Sequence, residues 1–195
     1  MIARRRLLFA ACTLPALAWA QNPAGVPAMK PPIRATPAAT PGAPRTIQWE
    51  DLVPPDWDPF KDFRDINFQL LDDGDSRANA LLKRMREVWD AAPVNPQLAG
   101  QVVRIPGFVV PLEDSNEGLK EFLLVPYFGA CIHSPPPPAN QIVHVLPRVP
   151  AKGFRSMDTV WVSGRISTPR TESYMGVSGY RIEADSVTRY EERRR

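Results

Sequence analysis

The side chains able to do chemistry are crowded into one stretch. Pro126-Tyr127-Phe128-Gly129-Ala130-Cys131-Ile132-His133-Ser134 runs into Pro135-Pro136-Pro137-Pro138, then Ala139-Asn140-Gln141, then an apolar run containing His144. The chain has 2 histidines, and both fall with Cys131 inside this stretch. If Cys131-Ile132-His133 is extended, alternate side chains point the same way, so a thiolate and an imidazole could reach one ion. Four prolines favour a stiff polyproline II rod that would deliver His144 to a fixed place relative to that pair. Tyr127, Asn140 and Gln141 are the loop's supporting polar residues. The last two, ending the rod, could satisfy loop carbonyls or orient a ring by hydrogen bonding.

Cys131, His133 and His144 together suit zinc or copper. Glu113, Met157, Asp158, Met175 or water could supply a fourth ligand. Blue-copper sites use a similar set, but there one histidine normally precedes the cysteine, unlike here. The chain has no C-x-x-C or H-x-x-x-H pair. Two other readings use the same residues. In one, Cys131 is a small buried hydrophobe and each histidine is hydrogen-bonded in a polar pocket. In the other, Cys131 is a nucleophile activated by His133 or His144, with Asn140 orienting the ring.

The compartment sharpens the choice. Arg4, Arg5 and Arg6 precede an apolar run from Leu7 to Ala18, and Ala18-Trp19-Ala20 offers a signal-peptidase site, so the mature chain is expected to start at Gln21 in the periplasm. The apolar run is too short for a permanent span, and no later segment is long enough either. Two variants compete: lipoprotein processing at Cys12, where Phe9 fits poorly, and twin-arginine export through Arg4 to Leu8 in place of the general route. Cleavage removes three of the 24 basic residues and none of the 21 acidic ones, leaving a formally neutral chain. Nucleic acid, which needs a basic surface, is therefore not an expected partner. Cleavage also removes Cys12, one of the 2 cysteines. A lone Cys131 in an oxidising compartment is buried, metal-bound or reactive.

Positioning these residues falls to one domain. Residues 21–45, rich in Pro, Ala and Thr, read as a disordered linker, and residues 46–195 as a single globular unit. Trp49 and Trp57 sit among prolines and acids, which suggests an irregular arm pinned to the domain by its aromatics. From Ser76 to Trp89, Ala78, Leu81, Leu82, Met85, Val88 and Trp89 recur at helical spacing. The helix is expected over about 76–90, capped by Asp75 or Ser76 and closed by Pro93. Strands are expected at Gln101–Leu112, Glu121–Val125, Gln141–Leu146, Thr159–Ile166 and Gly179–Tyr190, with a bulge or bend at Pro106-Gly107. The fold class is mainly β: a small five-stranded barrel over about 100–190, like the oligonucleotide/oligosaccharide-binding (OB) barrel, with one packed amphipathic helix and an irregular N-terminal arm.

Leu123-Leu124-Val125-Pro126-Tyr127-Phe128-Gly129-Ala130-Cys131-Ile132-His133, followed by the prolines and Asn140-Gln141, resembles the hallmark of an uncharacterised family of exported bacterial proteins, a domain of unknown function. Ile105 to Glu113 and Trp49-x-x-Leu52-x-Pro54 are similar to its pattern too, and the resemblance covers about residues 47–190. Ser134 departs from it, where a small apolar residue is expected. The resemblance implies a periplasmic protein, sometimes a lipoprotein, whose relatives often sit near transporter components, some linked to metal supply. The functional expectation is an accessory or binding protein with a zinc or copper site, possible partner a membrane transporter component. The alternative is a metal-free module docking such a component through the proline loop and the Trp arm.

Overall fold

The alternation between residues 100 and 190 becomes five strands that close on themselves. The computed structural model describes residues 43–64, 66, 76–131 and 136–191. A two-residue strand β1 (Arg45–Thr46) and helix α1 (Ser76–Asp90) precede β2 (Val102–Ser115), β3 (Gly118–Val125), β4 (Val143–Pro147) and β5 (Thr159–Ser167). A short hairpin, β6 (Thr171–Ser173) and β7 (Gly176–Ser178), leads into β8 (Tyr180–Arg189). Neighbours run β1-β2-β3-β4-β8-β5, and β5 pairs again with β2 to close the barrel. β4 and β8 are parallel, and the other barrel pairs are antiparallel. This is the connectivity of an OB barrel.

Closure depends on β2, which is long enough to serve two neighbours. It pairs with β5 from Val102 to Phe108 and with β3 from Phe108 to Ser115. The Pro106-Gly107 pair causes no register shift. The shifts lie between Pro111 and Asp114 and between Ser163 and Gly164. Gly107 is needed for close approach instead: a Cβ there would lie 2.6 Å from Leu124 Cγ and 3.0 Å from Trp49 Cζ2.

Along β5, Val160, Val162 and Ile166 are buried while Trp161, Ser163 and Arg165 are turned outward, the period of two that a one-sided core demands. Inward residues of all five strands form one apolar cluster with Ile47, Trp49, Leu52 and Leu98 from outside the barrel strands. Trp49 acts as the plug. It is buried, and its indole Nε1 donates to the Pro106 carbonyl at 2.7 Å. Tyr180 Oη donates to Leu52 O at 2.6 Å and accepts the Asn95 N–H at 2.5 Å, tying the arm and the post-helix segment to β8. The arm is thus pinned by Trp49, as its aromatic content suggests, while Trp57 is only half-buried.

The helix appears where the periodicity places it, but none of its residues is buried. Its stripe is half-buried at Ala78, Leu81, Met85, Val88 and Trp89, the helix touches β7, and Trp89 Nε1 donates to Pro59 O of the arm at 3.2 Å. The expected cap at Asp75 lies outside the described residues, as do Cys12, Ala20 and residues 1–42 as a whole. Arg45, expected to end the linker, already belongs to β1. Among the described residues no helix is long and apolar enough to cross a membrane.

Candidate functional site

Part of the outward face of β2 and β3 is apolar as well. Phe108 and Val110 on β2, and Leu123 and Val125 on β3, are buried by Ala130 and Ile142 of the connection between β3 and β4. Tyr127, Cys131, Met157 and Met175 pack against the same cluster. The barrel therefore carries a second apolar layer on its outer face, and Cys131 lies in it.

Cys131 and Met157 both adopt φ of 66°, and they are the only non-glycine residues with positive φ among those described. Left-handed backbone is disfavoured for side chains of this kind and persists only where surrounding contacts hold it. Contacts of that kind are present. Gly129 N–H donates to Met157 Sδ at 3.2 Å, and Met157 N–H donates to Val109 O at 2.7 Å. The thioether of Met157 thus sits against the turn that contains Gly129 and Cys131.

Burial pushes the Cys131 thiol up to about 12, against a smaller opposing pull from the Arg86 guanidinium. Burial also raises the Tyr127 phenol, and Cys131 adds to the shift. A thiol that stays protonated at neutral pH is the reverse of an activated nucleophile.

His144 lies on the same outer face, because its neighbours Val143 and Val145 point into the barrel. It sits opposite Leu123 of the outer layer and beside Arg181 of β8. The residue is 4 % exposed, with Nε2 held by Glu121 Oε1 at 2.5 Å. Nδ1 is buried with no hydrogen-bond partner among the described residues, and so is Arg181 Nε. Arg181 Nη2 donates to Thr171 Oγ1 at 3.2 Å.

Cys131 packs against the outer layer and His144 sits opposite Leu123 of that layer, while His133 lies outside the described residues. Among the described residues no three His, Cys, Asp or Glu side chains are grouped to hold a metal. Of the suggested fourth ligands, Met157 and Met175 share Cys131's layer. Asp158 is committed to the Arg155 N–H at 3.0 Å and to Arg189 at 3.5 Å, and Glu113 is exposed. Asn140 and Gln141 satisfy carbonyls, one of the two roles their position suggests. Asn140 Nδ2 donates to Pro93 O at 2.9 Å and Gln141 Nε2 to Trp49 O at 2.8 Å.

Sequence reasoning missed the β6–β7 hairpin, whose strands are too short to show alternation. It crosses the outer face: Tyr174 Oη at its turn donates to Pro111 O of β2 at 3.2 Å, and Met175 enters the layer.

These features define a class: a closed OB-like barrel, plugged by an N-terminal arm and overlaid by a loop and hairpin that bury a second apolar layer. The chain belongs to the family described as "Protein of unknown function (DUF3299)", whose match spans residues 49–189, from the Trp49 plug to the end of β8. The crystal structure of a DUF3299 family protein from Pseudomonas aeruginosa PAO1, at 2.45 Å resolution, is similar to it. The two share 36% identity over 77% of this chain and 99% of that one, with a TM-score of 0.60. Among curated proteins none matches this chain.

Proposed function

We propose that this protein is an exported, periplasmic binding protein accessory to transport, and that it holds zinc or copper at the outer layer through Cys131, His133 and His144. The supporting observation is the state of His144. A metal-bound imidazole almost always gives its second ring nitrogen to a carboxylate or carbonyl, which fixes ring and tautomer. His144 has that arrangement, with Nε2 on Glu121 and a buried Nδ1 left without a partner. Nδ1 would be the ligating atom and Glu121 its orienting group. Cys131, packed against the outer layer, would lose its proton on binding, since a coordinating thiol is a thiolate.

The test is elemental analysis of the mature protein, isolated from the periplasm without chelators or a His-tag. The expected result is one equivalent of zinc or copper, lost in Cys131→Ser and in His144→Ala. Glu121→Gln should weaken binding by about 10–100-fold, as loss of an orienting partner does. Full retention of metal by both ligand variants would sink the proposal.

The metal-free docking reading draws on a different feature. Pro136 of the proline loop and Leu82, Met85 and Trp89 of α1 line a groove of about 320 Å³. Trp49 is not available to such a partner because it is buried in the barrel mouth.

A further inference from the structure

The metal-site reading leaves α1 unused, a helix none of whose 15 residues is buried. Leu82, Met85 and Trp89 lie three and four positions apart, on one side of the helix, and line an open groove with Pro136. Leu82 is 55 % exposed, and Phe60, 51 % exposed, sets its ring edge-on to Trp89 with centroids 6.1 Å apart. These contacts join the arm, the helix and the proline loop into one apolar patch. We propose that this patch seats α1 on the surface of a bilayer containing anionic lipid. None of the metal-site residues takes part, so the two readings stand or fall separately.

Charge decides the partner. The helix carries Arg77, Lys83, Arg84 and Arg86 against Glu87 and Asp90, four cations to two acids. Elsewhere Arg64, Arg148 and Arg189 pair with Asp58, Asp185 and Asp158. Among the described residues Lys83, Arg84 and Arg86 have no such partner, and Lys83 and Arg86 line the groove itself. Asp90, the one acid lining it, lies in the field of Arg86 and Arg170. Arg84 and Arg86 leave the helix on opposite borders of the apolar stripe, because two residues advance about 200°. One acidic side chain or one small anion can meet only one border. A plane of phosphate headgroups meets both, while the long stems of Lys and Arg lie along apolar surface. Cations flanking a stripe of Leu, Trp and Phe characterise a helix that lies in a membrane interface. Trp89 suits that depth: its Nε1 already donates to Pro59 O at 3.2 Å, so the ring can enter the apolar boundary without stranding a donor.

The experiment floats the mature protein with vesicles of phosphatidylglycerol and phosphatidylcholine in equal parts, and with phosphatidylcholine alone. We expect it to rise with the first and stay behind with the second, and the bound fraction to fall as salt rises. Lys83→Gln combined with Arg86→Gln should weaken partition by about thirtyfold, at about fivefold per cation near a charged surface. Leu82→Gln should weaken it by about fivefold or more through lost apolar burial. All three residues are exposed, so urea midpoints should hold. Lys152→Gln combined with Arg155→Gln, in the segment before β5, should change nothing. Equal flotation with both vesicles, or a fall matched by the Lys152 and Arg155 changes, would overturn the inference. So would absence of flotation with the anionic vesicles, and capture of a transporter subunit in that case, lost in Leu82→Gln, would give the groove to a protein.

Discussion

Inside and outside, strands β2 and β3 help bury two apolar layers that differ in what accompanies their aliphatic side chains. The interior is filled mainly by branched aliphatics from all five strands with Phe122 and Tyr180, is closed by Trp49, and holds the indole and phenol tips of Trp49 and Tyr180 in hydrogen bonds. The outer layer is also largely branched aliphatic but adds a thiol and two thioethers, lies under a loop and a hairpin, and borders a histidine and an arginine whose buried Nδ1 and Nε have no partner among the described residues. Its backbone is held left-handed at two non-glycine positions. An interior of the first kind is what a barrel needs in order to exist. A layer of the second kind adds strain and unsatisfied polarity that a purely structural surface would avoid, and such costs gather at functional sites. That difference is the reason the proposed site is placed on the outer layer, with the barrel's stability assigned to the interior.

Removing the plug tests the first half most severely. Trp49→Ala deletes a fully buried indole, its bond to Pro106 O and the surface against which Gly107 and Leu124 pack. A loss of about 3–5 kcal/mol is expected, read as a lowered urea midpoint. Zinc or copper binding per folded molecule should be unchanged. A large fall in metal affinity without unfolding would mean that the two layers are one system and would break the comparison.

Tyr180→Phe probes the same end of the barrel with less damage. The ring stays, but Leu52 O loses its donor and the Asn95 N–H its acceptor, at a cost of about 1–3 kcal/mol. Asn95 also reaches Asp51 O through Nδ2, at 3.0 Å, and so keeps part of the clasp. An effect below about 0.5 kcal/mol, the ordinary scatter for substitutions away from such features, would show that the arm is held by packing alone.

Legibility in the sequence follows the same division. The five barrel strands could be read within a few residues because a one-sided core imposes a period of two, and α1 because its stripe repeats at helical spacing. That aromatics pin the arm to the domain could also be read, but not that Trp49 rather than Trp57 enters the barrel. The outer layer could be read only in part. Cys131 and His144 stand out by rarity, but Met157 and Met175 are separated from Cys131 by 26 and 44 positions along the chain. Only the fold of the β6–β7 hairpin over β2 brings Met175 to the layer. Glu121 could not be assigned to His144 beforehand, because that pairing depends on the β3–β4 register. The Pro106-Gly107 pair misled for a related reason: a glycine required by a tryptophan 58 positions away looks locally like one required by a bend.

A further effect is confined to alkaline pH, absent at neutrality, and separates the two layers by titration. The Cys131 thiol keeps its proton in the folded chain up to about 12, against an ordinary value of 9.0. The Tyr180 phenol, raised mainly by burial, also reaches about 12, from 10.0. In both cases the unfolded chain releases its proton first, so the native state binds more protons in that interval. Stability is therefore full below the unfolded values and declines as pH rises toward the folded ones. The two groups start to contribute at different points. Cys131→Ser should remove the part of the decline that begins near 9, and Tyr180→Phe the part that begins near 10. Urea midpoints of wild type and both variants, measured at closely spaced pH values in that range, provide the check. The same burial should make Cys131 slow to alkylate in the native protein at pH 8 and fast once it is unfolded. Rapid native alkylation, with a decline unchanged by Cys131→Ser, would show the outer layer to be open to solvent. The Cys131 thiol would then be no better shielded than one on the surface.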